Sequence, residues 1–344
     1  MTDPASTRMF AEAAETGAVV ARQLAANREA VAALAADLLA RPPAGVLTCA
    51  RGSSDHAATY AKYLIETGIG RVVASAAPSV SSLYGAEPAT AAMLAIAISQ
   101  SGRSPDVLAA LDMVGKAGGR TLALVNDVAS PLARAAGTTL PLHAGLEKSV
   151  AATKSYIASL AAIGALVAAW GRNAPLAAAL DALPALLEQA WEEDWSALVE
   201  RLAGVRGLYV IGRGPGLAVA QEAALKFKET CGLHAEAFSA AEVRHGPMAL
   251  IGPDFPVLVF RQSDEAAAGI DALVAELVAR GGDVLVAGVE APGATLRLPV
   301  TRAHPWVEPI LAIQSFYRAV NALAVRRGFD PDVPPHLAKV TETI

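Results

Sequence analysis

The sequence predicts an α/β protein: two repeated three-layer α/β/α domains, each with a central, mainly parallel sheet of the flavodoxin/Rossmann kind. Three observations predict it. Short apolar runs alternate with stretches of helical periodicity, the pattern of parallel strands joined by crossover helices. One offset relates the two halves. Arg51-Gly52 recurs as Arg213-Gly214 and Gln100-Ser101 as Gln262-Ser263, each 162 positions on, and Leu122 to Leu124 overlays Val284 to Val286 at the same offset. Third, 344 residues at 53% hydrophobic content supply enough apolar surface for two buried cores.

The elements follow in order. Residues 7–40 place Met9, Phe10, Ala13, Val19, Val20, Leu24, Val31, Leu34, Leu38 and Leu39 at three- and four-residue steps, and Arg41-Pro42-Pro43 ends the run. Strands are expected at 45–50, 71–76, 91–98, 120–125 and 138–142, with helices at 56–66 and 107–116. Residues 145–152 read as a polar loop and 153–170 as a long helix. A second helical stretch, 173–202, carries Trp191 and Trp195 at i, i+4. The pattern then restarts, with strands at 207–212, 256–260 and 283–288 and helices at 217–230, 264–280 and 306–327. The expected divisions are an N-terminal helical segment 1–40, a first domain 41–172, a helical connector 173–204, a second domain 205–328 and a Pro-rich tail 329–344.

Composition removes several classes of function. A net charge of −5 with no basic stripe argues against a nucleic-acid partner. No apolar run approaches the ~20 residues of a membrane span, and the first eight residues lack a signal-peptide pattern. Cys49 and Cys231 have neither metal-ligand nor disulfide-framework spacing and read as buried small apolar residues. A cytoplasmic protein is expected.

The stretch Ala97 to Asp106 reads Ala-Ile-Ser-Gln-Ser-Gly-Arg-Ser-Pro-Asp, where a buried strand gives way to a helix. Ser99, Ser101 and Ser104 supply hydroxyls, Gln100 an amide and Gly102 a close backbone approach. Free N–H groups at the helix start add partial positive charge. This is a phosphate cradle without lysine, although a Ser-rich helix cap reads the same way. Ligands of open parallel sheets sit at the carboxyl ends of strands, which brings Ser53 and Ser54, after the first strand, close to it. The second repeat has Asp264 where the first has Gly102, so the first copy is expected to hold the anion.

Three further stretches carry chemistry. Glu222, Lys226 and Glu229 fall at i, i+4, i+7 on one helix face; spacing alone fits a solvated salt-bridge face, but the residues between are apolar. His245 precedes Gly246-Pro247, which would hold an imidazole in place. Lys339, in Pro-His-Leu-Ala-Lys, has by position the look of a loose tail lysine.

Ser99 to Gly102, Glu147 to Lys154 (Glu-Lys-Ser-Val-Ala-Ala-Thr-Lys), Ala224 to Glu229, Ala235-Glu236-Ala237, Glu242 to Pro247 and Leu337-Ala338-Lys339 occur in that order. Together they resemble the tandem sugar isomerase (SIS) domain family, in the form of the isomerase half of glucosamine-6-phosphate synthases and of stand-alone SIS deaminases. The resemblance covers about residues 7–344. The synthases carry an N-terminal glutaminase domain with a nucleophilic cysteine; no cysteine precedes Cys49 here, which points the expectation to the stand-alone proteins.

The resemblance implies that Ser54, Ser99, Gln100, Ser101 and Ser104 hold a sugar phosphate and that Ser53, Val150 and Ala338 touch the sugar. It implies that Lys226 supports the open-chain hydroxyls, that Glu229 moves a proton between C1 and C2, and that His245 opens the ring from the neighbouring subunit of a homodimer. Lys339 would form a Schiff base with the ketose. The first domain would then bind phosphate, the second would carry the catalytic helix and His loop, and the tail would complete the site. Arg51 and Ala152 depart from the synthase pattern, which has cysteine and serine there. The chemistry is coherent: one carboxylate can serve both carbons, and histidine shuttles protons near neutral pH. No metal or organic cofactor is called for. The expected activity is conversion of glucosamine 6-phosphate to fructose 6-phosphate and ammonia. The alternatives are a synthase-type isomerase, a phosphosugar isomerase, a fructosamine-phosphate deglycase, or a phosphosugar-binding module without activity.

Overall fold

A computed structural model describes residues 3–339. Met1, Thr2 and residues 340–344, the end of the predicted tail, lie outside the described residues. The chain forms two compact units. One holds residues 18–147 and 154–181 and the chain from 338; the other holds the chain up to 17, residues 148–153 and 182–337.

In chain order the elements are α1 (Arg8–Ala14), α2 (Thr16–Ala40), β1 (Gly45–Cys49), α3 (Ser53–Ile69), β2 (Val73–Ser75), α4 (Pro78–Ser82), β3 (Met93–Ser99) and α5 (Pro105–Lys116). Then come β4 (Arg120–Val125), α6 (Pro131–Ala135), β5 (Thr138–Pro141), α7 (Lys154–Trp170), α8 (Ala174–Glu192) and α9 (Ser196–Leu202). The second sheet and its helices are β6 (Gly207–Gly212), α10 (Gly216–Cys231), β7 (His234–Ser239), β8 (Val257–Arg261), α11 (Ala267–Ala279), β9 (Val284–Gly288), β10 (Leu296–Pro299) and α12 (Glu308–Arg326).

Each unit is built on one five-stranded sheet, and every pairing is parallel. The first runs β2-β1-β3-β4-β5; the second, from its other edge, runs β7-β6-β8-β9-β10. The two orders are the same, 2-1-3-4-5, as the internal repeat predicts. In this topology the chain reverses winding direction between its first and third strands, so the loops after β1 and β3 lie side by side. Cys49 pairs with Ala97 at the upper ends of those strands. The equivalent place in the second sheet lies between β6 and β8, where Ile211 pairs with Val259.

Burial explains the strands. β3 reads Met-Leu-Ala-Ile-Ala-Ile-Ser and is buried from Leu94 to Ser99, because helices cover both faces of a parallel sheet. On one face Ala95, Ala97, Ala123 and Val125 pack with Val107, Leu111 and Val114 of α5. In the second sheet Tyr209, Val257, Val259 and Val284 pack with Ile270, Leu273 and Leu277 of α11.

The structure differs from the sequence reading in particular places. The first helix is two, broken at Glu15. α3 begins at Ser53 rather than 56, and α5 at Pro105 rather than 107, since Pro fits the first turn. Trp191 and Trp195 do not share a helix: α8 stops at Glu192 and Trp195 precedes α9. β7 and β10 are edge strands that the pattern did not reveal. His-Ala-Glu-Ala-Phe-Ser and Leu-Arg-Leu-Pro have one solvated face and no apolar run. Among the described residues no helix is long and apolar enough to cross a membrane.

Candidate active site

The first sheet carries the serine loops. Ser99 ends β3 and is nearly buried, and its Oγ accepts a hydrogen bond from the Gly102 N–H at 2.9 Å. That bond closes the Ser99–Gly102 turn and leaves the hydroxyl proton free to donate. Gly102 has φ +64°, and a Cβ there would lie 2.2 Å from Ser130 Oγ and 2.9 Å from Val125 Cγ2. Glycine is required twice over, by conformation and by space. Ser104 is the N-cap of α5, yet its hydroxyl makes no capping bond. Its hydroxyl is left available to donate to a ligand at the start of α5. Gln100, Ser101 and Ser104 are half-buried, as are Ser53 and Ser54 in the first turn of α3.

Asp55 sits in the same first turn. Burial lifts its carboxyl above the usual range, against the pull of His56 and Arg51. Arg51, at the end of β1, reaches Asp106 in the first turn of α5. Its Nε and Nη2 both lie 2.7 Å from Asp106 Oδ2. In the sequence Arg51 stands out only in the repeat and as a departure from the family pattern, and Asp106 carries no assigned role.

Lys339 is not loose. Its Nζ lies 3.4 Å from Oε2 of Glu147, a carboxylate only 2% exposed. Ser155 Oγ donates to that oxygen at 2.5 Å and the Ser155 N–H to Oε1 at 3.2 Å. Glu147 was within the quoted motif but had no role assigned; a buried acid eight residues before the helical serine that binds it was the available signal. Ala338 is exposed beside Lys339.

The second sheet carries α10. Glu222, Lys226 and Glu229 do share a face, and it is buried, which overturns the solvated reading. Lys226 is 1% exposed, with Nζ 3.2 Å from Glu222 Oε1 and 2.6 Å from Glu229 Oε2. Tyr317 of α12 donates to Glu222 Oε1 at 3.1 Å. Burial pushes the Lys226 ammonium toward losing its proton; the two carboxylates outweigh burial and raise its pKa above that of an ordinary lysine. A fixed positive charge thus sits between two negative ones. Glu229, its side chain 19% exposed, is the outward end of the chain.

Glu229 opens on a cavity of about 470 Å³ lined with Leu225, Lys228, Gly232, Phe329, Pro335 and Leu337. α10 ends at Gly232 in the left-handed conformation, φ 56°, and a Cβ there would meet Phe329 Cζ at 2.4 Å. The tail can pack this closely only because the helix ends in glycine. Val150 is half-buried, and its N–H donates to Asp332 O at 3.2 Å, tying the 148–153 segment to the tail. Glu12 accepts from the Lys148 and Ser149 N–H groups at 2.5 and 3.1 Å. His245 is exposed at the end of a 3-10 turn, Glu242–His245, ahead of Gly246 with φ 141°.

Both thiols are buried, and burial pushes each up to about 12, so neither is a nucleophile. Among the described residues no group of His, Cys, Asp and Glu is placed to hold a metal ion. The first sheet thus offers hydroxyls suited to an oxyanion, and the second a positioned carboxylate at the mouth of a cavity.

Known proteins resemble this chain. A family model for the SIS domain matches residues 42–169 and 201–289. A glutamine–fructose-6-phosphate aminotransferase (isomerizing) of Thermus thermophilus is 33% identical over 310 residues, 86% of this chain and 51% of that protein. The enzyme of that name from Aeropyrum pernix is 37% identical over 263 residues, 71% and 42% of the two chains. The chain spans about half the length of the curated relatives it matches.

Among solved structures, a protein of Silicibacter pomeroyi assigned to the phosphosugar isomerases is 43% identical with a TM-score of 0.90, over 95% of this chain and 100% of that one. Glucosamine-6-phosphate deaminase from Thermotoga maritima, at 23% identity and a TM-score of 0.79 over 98% and 100%, shares the fold. The family match extends over both sheets, and on that ground, with the identities above, the chain belongs to the SIS domain family.

Proposed function

We propose that this protein is a phosphosugar enzyme of the isomerase type that converts glucosamine 6-phosphate to fructose 6-phosphate and ammonia. The observation that carries the reading is Glu229: a carboxylate at the mouth of a cavity, held 2.6 Å from a buried lysine whose pKa its two carboxylate neighbours raise. A base so fixed can take a proton from C2 of an open-chain amino sugar and return it to C1. The serine loop suits the 6-phosphate. Ser54, Ser99, Gln100, Ser101 and Ser104 hold that phosphate in this reading; Ser53, Val150 and Ala338 line the sugar.

His245 passes a proton during ring opening, reaching the site from the second subunit of a homodimer. Glu229 shifts the C2 proton to C1, leaving an imine at C2. Water adds to the imine carbon, and the carbon–nitrogen bond breaks to give ketose and ammonia. Lys339 forms a transient Schiff base with the ketose, displacing water on the way in and being displaced by it on the way out. Lys226 keeps Glu229 in place and bonds the open-chain hydroxyls. The deaminating direction needs only water as co-reactant.

The 33–37% identity to aminotransferases favours one other reading, the same proton shift run toward glucosamine 6-phosphate. Supplying fructose 6-phosphate with ammonium, and separately glucosamine 6-phosphate with water, compares the directions. The enzyme reading predicts that Glu229→Gln still binds sugar phosphate but turns over about 100-fold or more slowly. Wild-type binding without turnover in either direction would instead mark a phosphosugar-binding module.

A further inference from the structure

Arg51 and Asp106 lie at one end of the first sheet, outside every role assigned above. Asp106 is 0% exposed, a carboxylate taken out of water in the first turn of α5, two residues after Ser104. Its Oδ1 accepts from the Val107 N–H at 2.8 Å and its Oδ2 from Arg51. Arg51 remains half exposed at the end of β1, just ahead of Ser53 and Ser54. The pair therefore bridges the two loops that make the serine cradle, across the point where the sheet reverses direction. It occupies the Nε and Nη2 edge of the guanidinium. The Nη1 corner makes no hydrogen bond to a described residue.

The internal repeat supplies a contrast within one chain. Arg213 stands 162 positions after Arg51, so the arginine occurs in both copies. Its counterpart to Asp106 is Ala268, since 106 plus 162 is 268, and its counterpart to Gly102 is Asp264. Arg213 instead bonds Ser239 Oγ at 3.3 Å. The buried acid that aims the arginine is present only in the copy whose loop is built for an anion.

We propose that Arg51 is a cationic contact of the phosphate cradle and that Asp106 is its positioning residue. Asp106 fixes one edge of the guanidinium, and the free corner donates to a phosphate oxygen. Selection for the phosphorylated sugar then rests on charge as well as on hydroxyl hydrogen bonds. Arginine is suited to this because its planar fork can serve two anions at once, whereas a lysine is a point charge. The proposal rests on the reading of the serine loop as a phosphate site.

The test is binding of inorganic phosphate and of sorbitol 6-phosphate by calorimetry, with thermal unfolding measured alongside. An Arg51→Met, Asp106→Leu double variant removes both charges together, so neither is left buried and unpaired. Its phosphate affinity is expected to fall roughly 10-fold or more, and the salt dependence of binding to flatten. In turnover, KM rises while kcat changes less. Arg51→Lys keeps a charge for Asp106 and serves if the double variant does not fold; it is expected to bind phosphate several-fold more weakly. Ser101→Ala reports on the cradle itself. If Ser101→Ala weakens phosphate binding and the Arg51 variants do not, the Arg51 assignment is wrong and the cradle stands. If neither weakens it, the cradle reading falls as well.

Discussion

Lys226 shows what a single residue does here. Its ammonium is buried between Glu222 and Glu229, and the two carboxylates raise its pKa against the effect of burial. Removing the cation leaves Glu222, 0% exposed, facing a neutral neighbour. Lys226→Met should therefore cost about 3–5 kcal/mol of stability, read as a lowered urea midpoint at unchanged slope. The same variant should slow turnover, because Glu229 loses the contact that fixes its rotamer. The i, i+4, i+7 spacing of these residues was plain in the sequence. Their burial was not, since Tyr317 and the rest of the covering face come from α12, far along the chain. Glu147 and Asp106 were obscure for the same reason: a lone acid gains meaning only when the fold brings it a serine or an arginine.

At the scale of elements, the turn between β3 and α5 was the most legible part of the chain. Strand, serines, glycine and Ser-Pro cap follow one another, and the structure places them as that order requires. Gly102→Ala tests how tightly the turn is made. The new Cβ must enter the space of Ser130 Oγ while the backbone holds φ +64°. The backbone conformation alone costs about 1–3 kcal/mol, and relief of the clash would pull the serine loop out of shape. Lowered stability together with weaker sugar-phosphate binding is the expected result.

α12 gives a second test at this scale. Glu308, in its first turn, is 2% exposed and accepts from the Ser263 N–H at 2.7 Å. Burial raises its pKa, more than that bond and its other partners lower it. The folded state then favours the protonated form, so this carboxyl contributes stability at low pH and loses it as pH rises through the raised value. Glu308→Gln keeps an acceptor and removes the titration. Its stability relative to wild type should rise as the pH is taken up from the ordinary carboxylate range, followed by chemical unfolding at each pH.

For the molecule as a whole, the repeat explains both what could be read and what could not. A single offset of 162 relates the sheet of one unit to that of the other, and the shared 2-1-3-4-5 order follows. The apolar strands at the centre of each sheet are recognisable because both faces are covered. The edge strands β7 and β10 are not, because half of each faces water. The copies share their architecture and have diverged in chemistry: serines, Gly102 and Asp106 in one, Asp264 and Ala268 in the other. In the proposed function the first copy holds the anion and α10 of the second provides the base.

The most direct test of this account is ammonia release from glucosamine 6-phosphate by the purified protein, with fructose 6-phosphate measured in the same reaction. The account predicts the two products in equal amounts, and neither from the Glu229→Gln variant beyond trace. Wild-type protein that binds glucosamine 6-phosphate yet yields neither product would contradict it.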